Sequence, residues 1–172
     1  CYYIVTSFCA AAIAFTGQNY GAGQTSRCRR VFMLSMGLSV VACALANVLI
    51  ALFPSQCLSL FSSDPDVIYY GTIRLRTVLM FQCLACSYEI SGAYMRGLGY
   101  SMTPMVLTIF GTCVLRLAWV FFVAPRQHDF ALLLSIYPIT WAITGILVVT
   151  AALIVQRKAF AHIGTAGAVS AA

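Results

Sequence analysis

Five long apolar stretches, at residues 1–16, 31–53, 67–95, 103–123 and 130–155, constrain this chain more than any other feature. A helix of roughly 20 apolar residues matches the ~30 Å hydrocarbon core of a bilayer. Hydrophobic residues make up 62% of the sequence and charged ones 8%. Soluble domains carry about 45–50% and about 25% respectively, and a soluble fold of 172 residues cannot bury the difference. Backbone polar groups find no water in lipid, so each span is a helix or a strand of a closed barrel. The uninterrupted runs lack the alternation of barrel strands. The sequence therefore predicts an all-α integral membrane protein with about five transmembrane helices in one unit, residues 1–158, without an internal repeat. Residues 159–172 are small and without period, and are expected to form a disordered tail. The first stretch starts abruptly at Cys1 with no basic flank, unlike a signal peptide. It reads as the back end of a helix, which makes the chain a fragment by expectation.

The net charge of +6 invites a nucleic-acid reading, but the distribution argues against one. Arg27, Arg29 and Arg30, then Arg96, then Arg157 and Lys158 fall in alternate connections between spans. That is the positive-inside pattern, and it places those connections and the C-terminus in the cytoplasm. Arg74 and Arg76 near the outer interface snorkel by expectation. The partner of such a surface is the bilayer, with no role for nucleic acid.

Of the eight cysteines, Cys9, Cys43, Cys83, Cys86 and Cys113 lie inside apolar spans, where free Cys behaves as a small hydrophobe. Cys83 and Cys86 have the spacing of a redox or zinc pair, but no second pair or histidine accompanies them. Packing is the better account, and no metal site is expected. His128 and His162 lie outside the apolar stretches, and no nucleophile–base pair shares one depth, so no catalytic residues are assigned.

Prolines punctuate the spans. Pro54 ends the second, Asp64 and Pro65 form an N-cap and first position for the third, Pro104 opens the fourth and Pro125 ends it. Pro138 falls inside the fifth and is expected to kink it. Ser35, Ser39, Cys43 and Asn47 recur every fourth residue in the second span, a small-residue stripe suited to close helix packing.

Gln82, Cys86 and Glu89 share one face of the third span, which continues to Ala93 and Arg96. An ionisable side chain inside a bilayer costs several kcal/mol unless it faces a cavity or a partner. Glu89 lies seven residues from Arg96, about 10 Å along the axis, too deep for an interface anchor. It is either a paired packing residue or a contact for an ion or substrate, and Gln82 shares that assignment. Arg116 lies about 20 Å into its helix, on one face with Thr108 and Thr112. It reads as structural, bonding a neighbouring helix at fixed depth, or as cavity-facing. Neither Arg116 nor Arg76 is well placed to neutralise Glu89.

Residues Gly17, Gln18, Asn19, Tyr20, Gly21, Ala22 and Gly23, followed by Arg27, form a glycine-permitted turn with a basic anchor. They lack the Lys-Ser/Thr of a phosphate loop. The same residues resemble the GQN-x-GA…R signature of the multidrug and toxic compound extrusion (MATE) family. Phe61, Ser62, Ser63, Asp64, Pro65 and Asp66 look like that family's loop into a late helix, with Leu75 and Arg76 at a similar interval. Arg96, Gly97, Gly99, Ser101 and Pro104 resemble its RG-x-G-x-S-x-x-P turn, and Leu115, Arg116 and Trp119 echo the next helix. The resemblance implies the second lobe of a twelve-helix, two-lobe transporter, without its first lobe. It implies alternating access, coupled to sodium or protons and requiring no other cofactor, that exports amphipathic organic cations across the cell membrane. A flippase for lipid-linked oligosaccharides in the same superfamily is the alternative, though its cavity would be expected to carry more basic residues. A small scaffold would explain the packing stripes but not the motifs.

Overall fold

The computed structural model describes residues 2–61, 63–122 and 134–170. Those residues form helices α1 (Tyr2–Gly21), α2 (Thr25–Leu52), α3 (Pro54–Ser59), α4 (Pro65–Val78), α5 (Gln82–Gly97), α6 (Met102–Thr108), α7 (Leu115–Phe122) and α8 (Ile136–Ser170), and no strand. The all-α class follows the sequence. Three helical segments, Thr25–Leu52, Met102–Phe122 and Ile136–Ile163, are each long and apolar enough to cross a membrane.

The bundle is organised around α5, which packs against α1, α2 and α8. Ile90, Ala93, Tyr94 and Met95 of α5 are fully buried, and Ser91 and Gly92 let neighbouring backbones come near. In lipid, close van der Waals fit of this kind replaces the hydrophobic driving force of a soluble core. The α2 stripe serves this purpose, since Ser39, Cys43 and Asn47 are buried where α2 meets α5.

Several boundaries differ from the sequence expectation. The third stretch, 67–95, is divided: α4 ends at Val78, a 3₁₀ turn covers Leu79–Phe81, and α5 starts at Gln82. Neither Pro nor Gly causes the break. The side-chain amide of Asn47 on α2 donates to the Leu79 carbonyl at 3.0 Å, which holds the ladder open from outside. The fourth stretch, 103–123, contains a π segment, Ile109–Val114, between α6 and α7. There Gly111 meets Thr144 of α8, and the Thr112 hydroxyl donates back to the Thr108 carbonyl at 2.7 Å, a bond that bends helices. α1 runs to Gly21, so Gln18 and Asn19 lie in its last turn, and Arg27, Arg29 and Arg30 lie in the first turns of α2.

Where the sequence reading expected a tail, α8 continues through Ala159 to Ser170. Ala159 is fully buried, and its carbonyl accepts from the Tyr20 hydroxyl at 3.5 Å. Alanine-rich sequence needs no periodic pattern to propagate a helix once one side is anchored. His162 therefore sits on a helix. Pro138 falls in the first turn of α8, behind a turn at Ser135. Its missing N–H costs little there. Asp64 caps α4 as expected, accepting from the Asp66 N–H at 2.9 Å, with Pro65 at the first helical position. Pro125 and His128 lie outside the described residues.

Candidate functional site

Both glycine-containing turns end their helices in the same way. At the end of α5 the Tyr100 N–H donates to the Met95 carbonyl (2.9 Å) and the Gly99 N–H to the Arg96 carbonyl (3.0 Å). After α1 the Gln24 N–H donates to the Asn19 carbonyl (2.9 Å) and the Gly23 N–H to the Tyr20 carbonyl (3.0 Å). These paired bonds are Schellman caps, which place a left-handed residue just past the helix. Gly99 (φ +91°) and Gly23 (φ +71°) are those residues. Gly23 stood in the glycine run of the sequence reading, though without this role. The signal for it was its place two residues beyond Gly21, at the end of the glycine run.

The two turns also touch. A Cβ on Gly97 would lie 2.7 Å from the Thr16 Cβ and 3.0 Å from the Ile13 carbonyl oxygen, and one on Gly17 would lie 3.6 Å from the Gly97 carbonyl. The spacing brings the backbones of α1 and α5 together. Pro104 of α6 is buried beside Gly92 of α5, at 3.4 Å from a Cβ built there. Asn19 donates to the Phe15 carbonyl at 2.7 Å. Gln18, Gly21, Ala22, Arg27 and Arg96 are exposed around this junction.

The face of α5 that carries Gln82, Cys86, Glu89 and Ala93 turns toward α1 and α2. Cys86 is fully buried and approaches the Ser39 carbonyl at 3.9 Å. Glu89 is half-buried. Arg96 lies two turns further along α5. Among the described residues no hydrogen bond or ion pair engages the Glu89 carboxylate. Gln82 stands half-buried where α5 begins, two turns from Glu89, and does not touch it.

Arg116 is engaged elsewhere. Its guanidinium carbon lies 4.6 Å from the Tyr137 ring centroid, and Nε donates to the Thr140 hydroxyl at 3.4 Å. Tyr137 and Thr140 belong to the first turns of α8, so Arg116 ties α7 to α8. Thr112 sits one turn earlier, in the π segment. Near them the Trp119 indole N–H and the Thr144 hydroxyl are buried without a protein partner. Arg76 is exposed on α4 and lines an open cleft of about 520 Å³ with Ile68, Tyr69 and Thr72. The structure thus groups the motif turns with the Glu89 face, and separates both from Arg116 and from Arg76. It also pairs Tyr94 with Gln156, hydroxyl to side-chain oxygen at 2.9 Å, with Phe32 against the Tyr94 ring at 4.6 Å. The sequence reading missed that link between α2, α5 and α8. Among the described residues no cluster of three or more His, Cys, Asp or Glu is placed to hold a metal ion.

An all-helical bundle with three helices long and apolar enough to cross a membrane belongs with helical membrane proteins. The family is specific: the MatE family model matches residues 1–122, and the chain belongs to that family. It is 28% identical over 124 residues to a probable multidrug resistance protein NorM of Thermotoga maritima, covering 72% of this chain and 26% of that protein. It is 29% identical over 100 residues to a probable multidrug resistance protein YoeA of Bacillus subtilis, covering 58% and 22% respectively. A protein named FAD transporter from Shewanella oneidensis is 27% identical over 114 residues, covering 66% and 25%. The chain spans about a quarter of the length of these relatives.

Proposed function

We propose that the protein containing this chain is a secondary active exporter of amphipathic, cationic organic compounds, driven by sodium- or proton-coupled antiport. In this reading two lobes rock about a central pathway in the cell membrane, this chain supplies part of one lobe, and its C-terminus faces the cytoplasm. Two of the relatives bear multidrug-resistance names. The observation that carries the reading is Glu89, a half-buried carboxylate unpaired among the described residues. An anionic group at that depth is costly until a proton or cation joins it. A ligand that binds one conformation better than another shifts the balance between them, and this is what coupling requires.

The test uses the intact transporter in a drug-sensitive bacterium. Glu89→Gln is expected to abolish gradient-driven efflux of a fluorescent cationic dye at unchanged expression. Wild-type efflux in that variant removes Glu89 from the coupling path. Collapsing the sodium and proton gradients separately identifies the coupling ion. If the unmodified protein moves no dye under either gradient, the flippase reading takes precedence.

A further inference from the structure

The end of the bundle that carries the two glycine caps concentrates positive charge. Arg27, Arg29 and Arg30 lie in the first turns of α2 there, and Arg157 and Lys158 lie along α8, all exposed. The chain has four acidic residues, Asp64, Asp66, Glu89 and Asp129. Asp64 and Asp66 start α4 at the opposite end, Glu89 lies two turns inside Arg96, and Asp129 falls outside the described residues. Among the described residues no carboxylate neutralises this end.

The cations are not scattered. The Arg29 guanidinium carbon lies 5.5 Å from the centroid of the Phe160 ring, so α2 and α8 meet here although their residues are far apart in sequence. Arg157 precedes Phe160 by three residues, which puts both on one surface of α8. Arg30 is also exposed, about 100° around α2 from Arg29. Arg27 and Lys158 point to other flanks of their helices, each about 200° around from Arg29 and Phe160 respectively at 100° per residue. One turn deeper, Met33 (68% exposed) lies on the Arg29 and Arg30 side of α2, and Leu153 (47%) and Ile154 (50%) lie beneath Arg157 on α8. Cations at the headgroup level thus stand directly above an open apolar track.

We propose that Arg29, Arg30 and Arg157, arranged around Phe160, form a binding site for one anionic phospholipid, with its phosphate among the guanidiniums and an acyl chain along Met33, Leu153 and Ile154. Basic pockets between helices at a cytoplasmic leaflet bind anionic headgroups in this way. Guanidinium is the donor best matched to phosphate oxygens. The apolar track distinguishes a lipid from a soluble phosphate, which has no use for it. The inference rests on the membrane fold and not on the transport reading.

The experiment titrates phosphatidylglycerol, and phosphatidylcholine in parallel, into the intact detergent-solubilised transporter and counts bound lipid by native mass spectrometry. Phosphatidylglycerol is expected to bind preferentially. Each cation near a leaflet contributes about fivefold to anionic-lipid affinity, so R29Q/R157Q is expected to weaken the tightest phosphatidylglycerol event by about 25-fold. R27Q/K158Q removes the same charge from other flanks, out of contact with the bound phosphate, and is expected to weaken that event by less than R29Q/R157Q does. Equal losses in both variants overturn the proposal, because bulk charge alone then explains binding. Displacement of the lipid by millimolar glycerol 3-phosphate also overturns it, in favour of a soluble phosphate. All four positions are exposed, and a size-exclusion profile matching the unmodified protein checks the fold of each variant.

Discussion

Gly97→Ala tests whether the α1–α5 junction depends on backbone contact. The new methyl would sit 2.7 Å from the Thr16 Cβ and 3.0 Å from the Ile13 carbonyl oxygen. Carbon atoms in contact prefer about 3.5–4.0 Å, so the helices must separate by about 1 Å locally. Ile13 contributes backbone at the contact, which no side-chain rotation can remove. Overpacking of this kind costs about 1–3 kcal/mol, against a helix-propensity gain for Ala over Gly of at most about 1 kcal/mol. The net expectation is a loss of about 1–2 kcal/mol. Gly99→Ala is expected to lose a similar amount, about 1–2 kcal/mol, for a different reason. Its φ of +91° lies where L-residues are strained, and no heavy atom lies within 4 Å of a Cβ there.

The two losses separate in a double-mutant cycle with Thr16→Gly, measured by SDS unfolding of the intact protein in mixed micelles. Thr16→Gly removes the Cβ that meets position 97, so it is expected to recover at least about 0.5 kcal/mol in the Gly97→Ala background. Against Gly99→Ala it is expected to be additive. A Gly97→Ala variant as stable as the unmodified protein, or no coupling with Thr16→Gly, refutes the close-approach argument.

Two further predictions concern buried hydrogen bonds. Tyr94→Phe leaves the Gln156 oxygen without its 2.9 Å donor and is expected to cost about 1–2 kcal/mol. Tyr94→Phe with Gln156→Leu is expected to cost less than Tyr94→Phe alone, and a larger loss in the double variant refutes the pairing. Asn47→Asp keeps the shape but turns the donor facing the Leu79 carbonyl into an acceptor, and is expected to cost about 1–3 kcal/mol at pH 8. The carboxyl can donate again only when protonated, so the lost stability is expected to return as pH falls. SDS unfolding that is unchanged between pH 8 and pH 5 contradicts the assigned donor.

What the sequence revealed and what it hid divide along the range of the interactions. Asp64 with Pro65 announces the start of α4, and Pro54 the end of α2, because capping and proline geometry act within four residues. The glycine turns were legible for the same reason, since a Schellman cap is closed by neighbours in sequence. The break at Leu79–Phe81 was not, because the group that holds it open is Asn47, 32 residues away. Asn47 did stand in a recognisable small-residue stripe, but a stripe tells which face packs and not which carbonyl an amide will reach. Likewise Gly111, inside the π segment, meets Thr144 across on α8, which no local pattern announces. Arg116 stood out in the sequence as a deep arginine, while Tyr137 and Thr140, which it contacts, lie on another helix and left no local trace.

Glu89 gains its setting from the same junction that the glycine turns close. Glu89 and Gly97 lie on α5 eight residues apart, about 12 Å at 1.5 Å per residue. Thr16, which Gly97 meets, lies near the end of α1. Both helices end at this junction and so run parallel, and contact there fixes which α1 residue stands level with the carboxylate. One residue of slip along either helix is about 1.5 Å with a 100° rotation, enough to turn Glu89 off this face. Thr16 against Gly97 opposes that slip because a helix backbone, unlike a flexible side chain, has no second rotamer to offer. A substitution at the caps would thus alter the surroundings of Glu89 at long range without touching it. In transport assays such a variant is expected to resemble a weakened Glu89 variant more closely than a folding defect, at equal expression.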